Sequence, residues 1–239
     1  MRLAPAVLQT ASPAIVEVYE KARRHAPTDR SVLHLGQAIP DLPPPAPCLD
    51  ALRAELADRS LHVYSPDQGL PALREAISAD YRARLGVELD PEAEVLVTAG
   101  ANHAMFQALL ATAAPGERVL LPAPCYFNHA MALQLLGLEE APWPMAVRRE
   151  RFGLDFDRLP GGVDERGTAG VVCVNPNNPT GTIYPADEVR ALVGLCRERD
   201  WVLYYDEVYR LLAFGDEAPL HPFQVEGGRE RTIVVGSFS

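Results

Sequence analysis

The sequence contains almost no lysine. Of the 22 lysine and arginine residues in this chain of 239 residues, only Lys21 is a lysine. Lys21 lies among Glu17, Glu20, Arg23 and Arg24, a pattern typical of an exposed helix face. The only side-chain amine of the chain is therefore expected to be exposed to solvent, away from an active site.

Other features that the sequence lacks exclude several classes of protein. No apolar run approaches the length of a membrane span, and Pro5 and Gln9 interrupt the short apolar stretch at the N-terminus, so we expect neither a membrane protein nor a signal peptide. The six histidines and four cysteines show no metal-ligand spacing, no His-Glu-x-x-His and no Cys-x-x-Cys. We therefore predict free thiols, a cytoplasmic location and no metal site.

Positive charge is also scarce. The net charge is −10 and the isoelectric point is about 5.1, which argues against a nucleic-acid-binding surface. The sequence has neither Gly-x-x-x-x-Gly-Lys nor a complete Gly-x-Gly-x-x-Gly. It therefore favours neither a P-loop protein nor a Rossmann-type nucleotide binder.

The residues that are present predict an α/β fold with a mostly parallel central sheet between layers of helices. Short apolar runs without polar alternation are separated by amphipathic helical patterns, as in parallel sheets that are covered on both faces. The predicted strands are Val95–Thr98, Arg118–Leu121, Gly170–Val174, Val202–Tyr205 and Thr232–Val235. The predicted helices are Pro13–His25, Pro71–Leu85, Ala101–Ala114, His129–Leu136 and Ala186–Arg199, and the proline-rich stretch Pro40–Pro47 is predicted to be a loop. Ligands of such sheets bind beyond the carboxyl ends of the strands.

Asp206 and Tyr209 follow the strand that is predicted to end at Tyr205. A carboxylate at the end of a strand can keep a pyridinium nitrogen protonated through a charge-assisted hydrogen bond. If the chain turns after the strand, Tyr209 faces the same way, because residues i and i+3 share a face. Acids followed by tyrosine are also common at strand ends of α/β proteins that lack such a function.

The segment Asn175-Pro176-Asn177-Asn178-Pro179-Thr180-Gly181 follows another predicted strand. Its prolines and glycine indicate a rigid loop, which would present the amide of Asn178 where the sheet opens. A cluster of Pro, Asn and Gly is usually only a turn. The order of these seven residues is nevertheless far more specific than their composition.

Three further segments lie at predicted strand ends. Thr98-Ala99-Gly100-Ala101-Asn102 joins a strand to a helix, where small residues and first-turn N–H groups can bind an anion. Ser237 follows the last strand and could donate its hydroxyl to the same anion. Tyr126 offers an aromatic face after the strand at 118–121, although ordinary packing would explain it equally well.

Taken in this order, the motifs resemble those of the aspartate-aminotransferase-like, class I/II (fold-type I) pyridoxal-phosphate-dependent aminotransferases, from about Gly36 to Ser239. The resemblance implies pyridoxal 5′-phosphate as the cofactor and assigns a role to each motif. Asp206 would bind the pyridine nitrogen, and Tyr209 and Asn178 the 3-oxygen of the ring. Tyr126 would stack on the ring, and Ala101, Asn102 and Ser237 would hold the phosphate.

The resemblance also implies roles nearer the N-terminus. Tyr64, in Tyr-Ser-Pro-Asp-Gln-Gly-Leu-Pro, resembles a tyrosine that reaches the phosphate in the neighbouring subunit, which implies a homodimer. Gly36 and Ala38 belong to a segment that resembles the loop closing over the substrate, where Ala38 stands in a place that glycine often holds. In domain terms, residues 1–45 would form an N-terminal arm and the start of an incomplete small domain. Residues 46–239 would form a large cofactor-binding domain that is incomplete at its C-terminus.

The activity implied is amino transfer between an amino acid and a 2-oxo acid. In the family, a lysine directly after the Gly-Ser-Phe-Ser stretch holds the cofactor and moves the proton between Cα and the cofactor, so we expect a lysine after Ser239 in a natural chain that continues. Asp206 and Tyr209 are the catalytic residues that the chain itself contains. A lyase or decarboxylase with the same cofactor, or a non-catalytic relative without the lysine, remain alternatives.

Overall fold

The computed structural model describes residues 2–26, 32–33, 36, 42–148, 151–163, 167–214 and 219–238. The chain forms two compact units. One contains residues 12–70, and the other contains residues 1–11 together with 71–239. The predicted domains, residues 1–45 and 46–239, differ from these units in their boundary and stay a prediction.

The described residues contain seven α-helices, seven strands and several short 3₁₀ turns. The helices are α1 (Pro5–Gln9), α2 (Ala14–His25), α3 (Ala46–Glu55), α4 (Pro71–Leu85), α5 (Ala101–Thr112), α6 (Phe127–Leu136) and α7 (Ala186–Arg199). The strands are β1 (Arg118–Ala123), β2 (Glu139–Pro144), β3 (Ala146–Arg148), β4 (Arg151–Gly153), β5 (Thr168–Val174), β6 (Val202–Asp206) and β7 (Thr232–Val235). Within these ranges, no helix is long and apolar enough to cross a membrane.

Five strands form the central sheet in the order β2-β1-β5-β6-β7, and every neighbouring pair is parallel. The prediction of a mostly parallel α/β sheet is therefore confirmed, with four of the five predicted strands in it. β3 and β4 form a separate antiparallel hairpin.

The sheet also corrects two predictions. The prediction of a strand at Val95–Thr98 is wrong: the segment is assigned to no strand and pairs with none among the described residues. An apolar extended run becomes a strand only when a neighbour supplies its hydrogen bonds. Conversely, Glu139–Pro144 was not predicted, because Pro142 and Pro144 argue against a strand. This strand lies at the edge of the sheet, where proline is tolerated.

Hydrophobic residues cover both faces of the sheet. On one face, Leu120 and Leu203 pack with Trp143 and with residues of α7 such as Leu192. On the other face, Val119, Leu121 and Tyr204 pack with residues of α5 and α6, including Leu109 and Leu133. Adjacent residues of one strand thus belong to opposite core layers, as the alternation of side chains along a strand requires.

The helices near the N-terminus differ in detail from the prediction. Helix α3 begins at Ala46, inside the stretch Pro40–Pro47 that was predicted to be a loop, because proline is compatible with the first turn of a helix. Helix α2 begins at Ala14, one residue after its predicted start, and Pro13 takes the N-cap position. Lys21 is exposed on α2 and pairs with Glu17 at 2.6 Å, as its charged surroundings predicted.

Candidate functional site

A cavity of about 380 Å³ lies at the carboxyl ends of β5, β6 and β7 in the larger unit. Seven residues that the sequence predicted for one site line it together: Ala101, Asn102, Tyr126, Asn178, Asp206, Tyr209 and Ser237. Its other lining residues are Ala99, Gly100, Val174 and Val208. Residues from five separate segments therefore meet where an open parallel sheet binds ligands.

Asp206, the last residue of β6, supplies a carboxylate that is 5 % exposed. Its Oδ1 accepts the backbone N–H of Val208 at 3.0 Å. Its Oδ2 lies 2.9 Å from Nε2 of His129, which is also buried. Two partners thus fix the orientation of the carboxylate, and a group in the cavity can still approach it.

Tyr209 and Asn178 meet across the cavity from two different loops. The side-chain N–H of Asn178 donates to the hydroxyl of Tyr209 at 3.4 Å. Burial, Tyr126 and Asp206 raise the pKa of Tyr209 above its ordinary value. The phenol therefore stays protonated at neutral pH and is available as a hydrogen-bond donor.

The loop that presents Asn178 is held by buried amides. Asn175 donates to the hydroxyl of Tyr205 at 2.8 Å and accepts the backbone N–H of Tyr184 at 3.0 Å. Asn177 accepts the hydroxyl of Thr180 at 2.7 Å, closing the loop on itself. The side chains of Asn175 and Asn177 thus hold the loop in place, and Asn178 lines the cavity.

Tyr126 lies between β1 and α6, at the N-cap position of the helix. Its hydroxyl accepts the side-chain N–H of Asn128 at 2.6 Å, and its ring packs edge-on against the His129 ring, with centroids 5.2 Å apart. These contacts hold an aromatic ring at the cavity wall beside the partner of Asp206.

The N-terminus of α5 provides a place for an anion. Gly100 precedes the helix with φ of 89°, a conformation that favours glycine. The first-turn N–H groups of a helix have no partner within the helix and carry the positive end of its dipole. Ala101 and Asn102 begin this helix, and Ser237 lines the same cavity.

Three predicted residues are not part of this arrangement. Gly36 and Tyr64 belong to the unit of residues 12–70, where both are exposed. Ala38 lies outside the described residues. The roles given to these residues stay predictions.

His129 is a buried neighbour of the site that the sequence did not reveal. It is the third residue of α6 and only 2 % exposed. The available signal was a histidine in a largely apolar helix directly after a strand end. Nothing local links it to Asp206, because 77 residues separate the two in sequence. Among the residues that the structure describes, no group of three or more His, Cys, Asp or Glu could hold a metal ion.

The sequence is similar to a known protein family over most of its length. The family model for aminotransferases of class I and II matches residues 30–239. This chain belongs to that family. Pyridoxal 5′-phosphate is the cofactor of these enzymes, and the fold predicted from the resemblance is confirmed by solved structures of the same type.

Individual relatives match over most of the chain. It is 35 % identical over 205 residues to a Mycobacterium tuberculosis (strain CDC 1551) protein named "Probable N-succinyldiaminopimelate aminotransferase DapC". This match covers 86 % of the chain and 51 % of the relative. It is 34 % identical to the LL-diaminopimelate aminotransferase of Syntrophobacter fumaroxidans, over 87 % of the chain and 53 % of that protein. The chain thus spans about half the length of the curated relatives it matches.

A solved structure of a relative has the same fold as this chain. N-succinyldiaminopimelate aminotransferase from Mycobacterium tuberculosis superposes with a TM-score of 0.86 at 30 % identity, covering 99 % of this chain and 60 % of that one. The donor set of the cavity fits pyridoxal phosphate. It combines the buried carboxylate of Asp206, the hydroxyls of Tyr209 and Ser237, the amides of Asn102 and Asn178, the ring of Tyr126 and the N-terminus of α5.

Proposed function

We propose that this chain is the cofactor-binding part of an aminotransferase that moves an amino group between an amino acid and a 2-oxo acid. The observation that carries the proposal is one cavity that combines the buried Asp206 carboxylate with the N-terminus of α5. A pyridine ring with a phosphate group needs both a carboxylate and an anion site. Several enzymes named aminotransferases, at 33–35 % identity, support the same reaction class.

Each residue has a distinct task in this proposal. Asp206 holds a proton at the ring nitrogen, and His129 with the Val208 N–H keeps the carboxylate in place. Tyr209 and Asn178 bind the 3-oxygen, and Tyr126 packs against the face of the ring. The N–H groups of Ala101 and Asn102, with Ser237, hold the phosphate. When bound, pyridoxal phosphate supplies a protonated ring that stabilises negative charge at the Cα of the amino acid.

We further propose that the active protein is a cytoplasmic homodimer in which Tyr64 contacts the phosphate bound by the partner. The argument for Tyr64 is the match of its segment to the family, and the argument for the cytoplasm is the pattern of unpaired cysteines. Sedimentation of the native protein that contains this chain tests the assembly. A monomer at all concentrations with full activity would contradict it.

Product analysis distinguishes amino transfer from the other reactions of this cofactor. The native protein is incubated with pyridoxal phosphate, 2-oxoglutarate and a panel of amino acids, including diaminopimelate, aspartate and aromatic amino acids. We expect glutamate and the matching 2-oxo acid in equal amounts. Release of carbon dioxide or ammonia without glutamate would show a decarboxylase or lyase instead, and no reaction of bound cofactor would indicate a non-catalytic relative.

The substitution Tyr209→Phe tests the role of the phenol. It removes one hydrogen bond to the 3-oxygen, so we expect pyridoxamine 5′-phosphate to bind about 5- to 10-fold more weakly. The affinity is measured by fluorescence titration of the purified chain. Tyr204→Phe is a matched control, because its hydroxyl bonds Thr112 at 2.7 Å and does not line the cavity. Equal affinities of both variants would refute the role of Tyr209.

A further inference from the structure

The turn that follows β6 presents two pairs of side chains in different surroundings. Asp206 and Tyr209, three residues apart, line the cavity. Glu207 and Arg210, also three residues apart, do not line it and contact each other, with Arg210 Nε 3.4 Å from Glu207 Oε1. The backbone N–H of Arg210 also donates to the Glu207 carbonyl at 2.8 Å. One pair therefore faces the candidate active site, and the other pair faces the body of the unit.

Glu207 is a buried carboxyl group with partners on two other segments. Its side chain is 3 % exposed, and its Oε1 accepts the hydroxyl of Tyr81, on α4, at 2.5 Å. Its Oε2 lies 3.2 Å from Nε2 of His221, although the two are not aligned as a hydrogen bond. The Nδ1 of His221 accepts the N–H of Phe223 at 3.1 Å, which leaves Nε2 as the ring nitrogen that faces Glu207.

Arg210 makes a second connection to α4. Its Nη2 lies 2.9 Å from Oδ2 of Asp80, and its guanidinium lies 5.1 Å from the centre of the Tyr81 ring. Although burial acts in the opposite direction, the Glu207 carboxylate and Asp80 raise the pKa of Arg210. Glu207, Arg210, Tyr81 and Asp80 together form what we call the α4 clamp.

Burying such a cluster has a large unfavourable desolvation free energy, so it is a poor way to stabilise a fold. Removing charges from water costs several kcal/mol per ion, and well-packed apolar residues often stabilise a protein at least as well. In some proteins, buried ionic groups instead fix one geometry of the segments that they join. Here the geometry that the cluster fixes is that of a turn whose other pair of side chains lines the cavity.

We propose that the α4 clamp positions Tyr209 for its hydrogen bond to the cofactor. This inference rests on the proposed function. Asp206 is already fixed by the strand, by His129 and by the Val208 N–H. The Tyr209 hydroxyl, in contrast, has one side-chain hydrogen bond among the residues that the structure describes, the 3.4 Å contact with Asn178. The clamp residues are thus positioning residues that act through Tyr209 and touch neither cofactor nor substrate.

A double-mutant cycle on the purified chain tests this inference. Pyridoxamine 5′-phosphate is titrated into wild type, Asp80→Asn, Tyr209→Phe and the double variant. We expect Asp80→Asn to weaken binding about 3- to 10-fold in the wild-type background and less than about 1.5-fold in the Tyr209→Phe background. Tyr81→Phe, which keeps the ring and removes only the hydroxyl, is expected to show the same dependence.

Arg84→Gln is the matched control. Arg84 donates to Oδ1 of Asp80 at 2.5 Å from the exposed side of α4 and does not contact the turn. We expect its pyridoxamine phosphate affinity to equal that of wild type. The denaturation midpoint of every variant is measured alongside the affinity, so that a loss of folded protein is not mistaken for a loss of binding.

The outcomes are separable. Weaker binding that disappears in the Tyr209→Phe background supports the clamp. Lower midpoints with unchanged affinity, or losses of equal size in both backgrounds, would overturn it, because the cluster would then only stabilise the fold. Failure of the wild-type chain itself to bind pyridoxamine phosphate would instead refute the proposed function.

Discussion

Asp206→Ala is expected to weaken the binding of pyridoxamine 5′-phosphate about 100-fold, because a charge-assisted hydrogen bond to the ring nitrogen is lost. Amino transfer by the native protein should fall about 1000-fold, since the ring without its proton stabilises negative charge poorly. The measurements are a fluorescence titration of the chain and the rate of glutamate formation by the native protein.

Two further variants sharpen this prediction. Asp206→Asn keeps the shape of the side chain and removes its charge, so we expect a large loss of activity and a smaller loss of affinity. Asp200→Asn is the control. Asp200 is an exposed residue at the end of α7. Its backbone is in the left-handed conformation, which asparagine also adopts. If Asp206→Ala bound the cofactor as tightly as Asp200→Asn, the assignment of the pyridine partner would be wrong.

Gly170→Ala is expected to have the largest effect on folding. Gly170 lies in β5 and pairs with Val119 of β1 and Val202 of β6. A Cβ at this position would lie 2.0 Å from the carbonyl oxygen of Val202 and 3.1 Å from the Tyr204 ring. Because backbone in the middle of the sheet cannot move aside, we expect a loss of about 4 kcal/mol or more in the free energy of unfolding.

Gly194→Ala, the same chemical change at another position, is expected to raise the free energy of unfolding. Gly194 lies in α7, is exposed, and has nothing within 4 Å of an added Cβ. We expect a gain of about 0.5–1 kcal/mol, because alanine favours the helix and restricts the unfolded chain. Urea denaturation of both variants measures these changes. A Gly170→Ala midpoint equal to that of wild type would show that the packing of β5 against β6 is described incorrectly.

The sequence was most informative where function depends on strand ends. Asp206 is the last residue of a strand, Asn178 and Tyr126 follow two others, and a parallel sheet brings its carboxyl ends together. Their meeting in one cavity could therefore be predicted from local pattern. The same reasoning failed at Val95–Thr98, because an apolar run does not reveal whether a neighbouring strand is available to pair with it.

Contacts between distant segments could not be predicted in the same way. His129 and Asp206 are 77 residues apart, and Tyr81 and Glu207 are 126 residues apart. Each of these residues has an ordinary local pattern, so only the folded chain shows that they are partners. Glu139–Pro144 was missed for a different reason, since prolines usually argue against a strand, whereas this strand lies at the edge of the sheet, where they are tolerated.

A crystal structure of the chain with pyridoxamine 5′-phosphate tests the central claim most directly. We expect the ligand in the cavity, with its ring nitrogen within hydrogen-bond distance of the Asp206 carboxylate. The phosphate should contact the N–H groups of Ala101 and Asn102 and the hydroxyl of Ser237. A ligand bound elsewhere, or one with its phosphate turned towards Asp206, would contradict the account of this site.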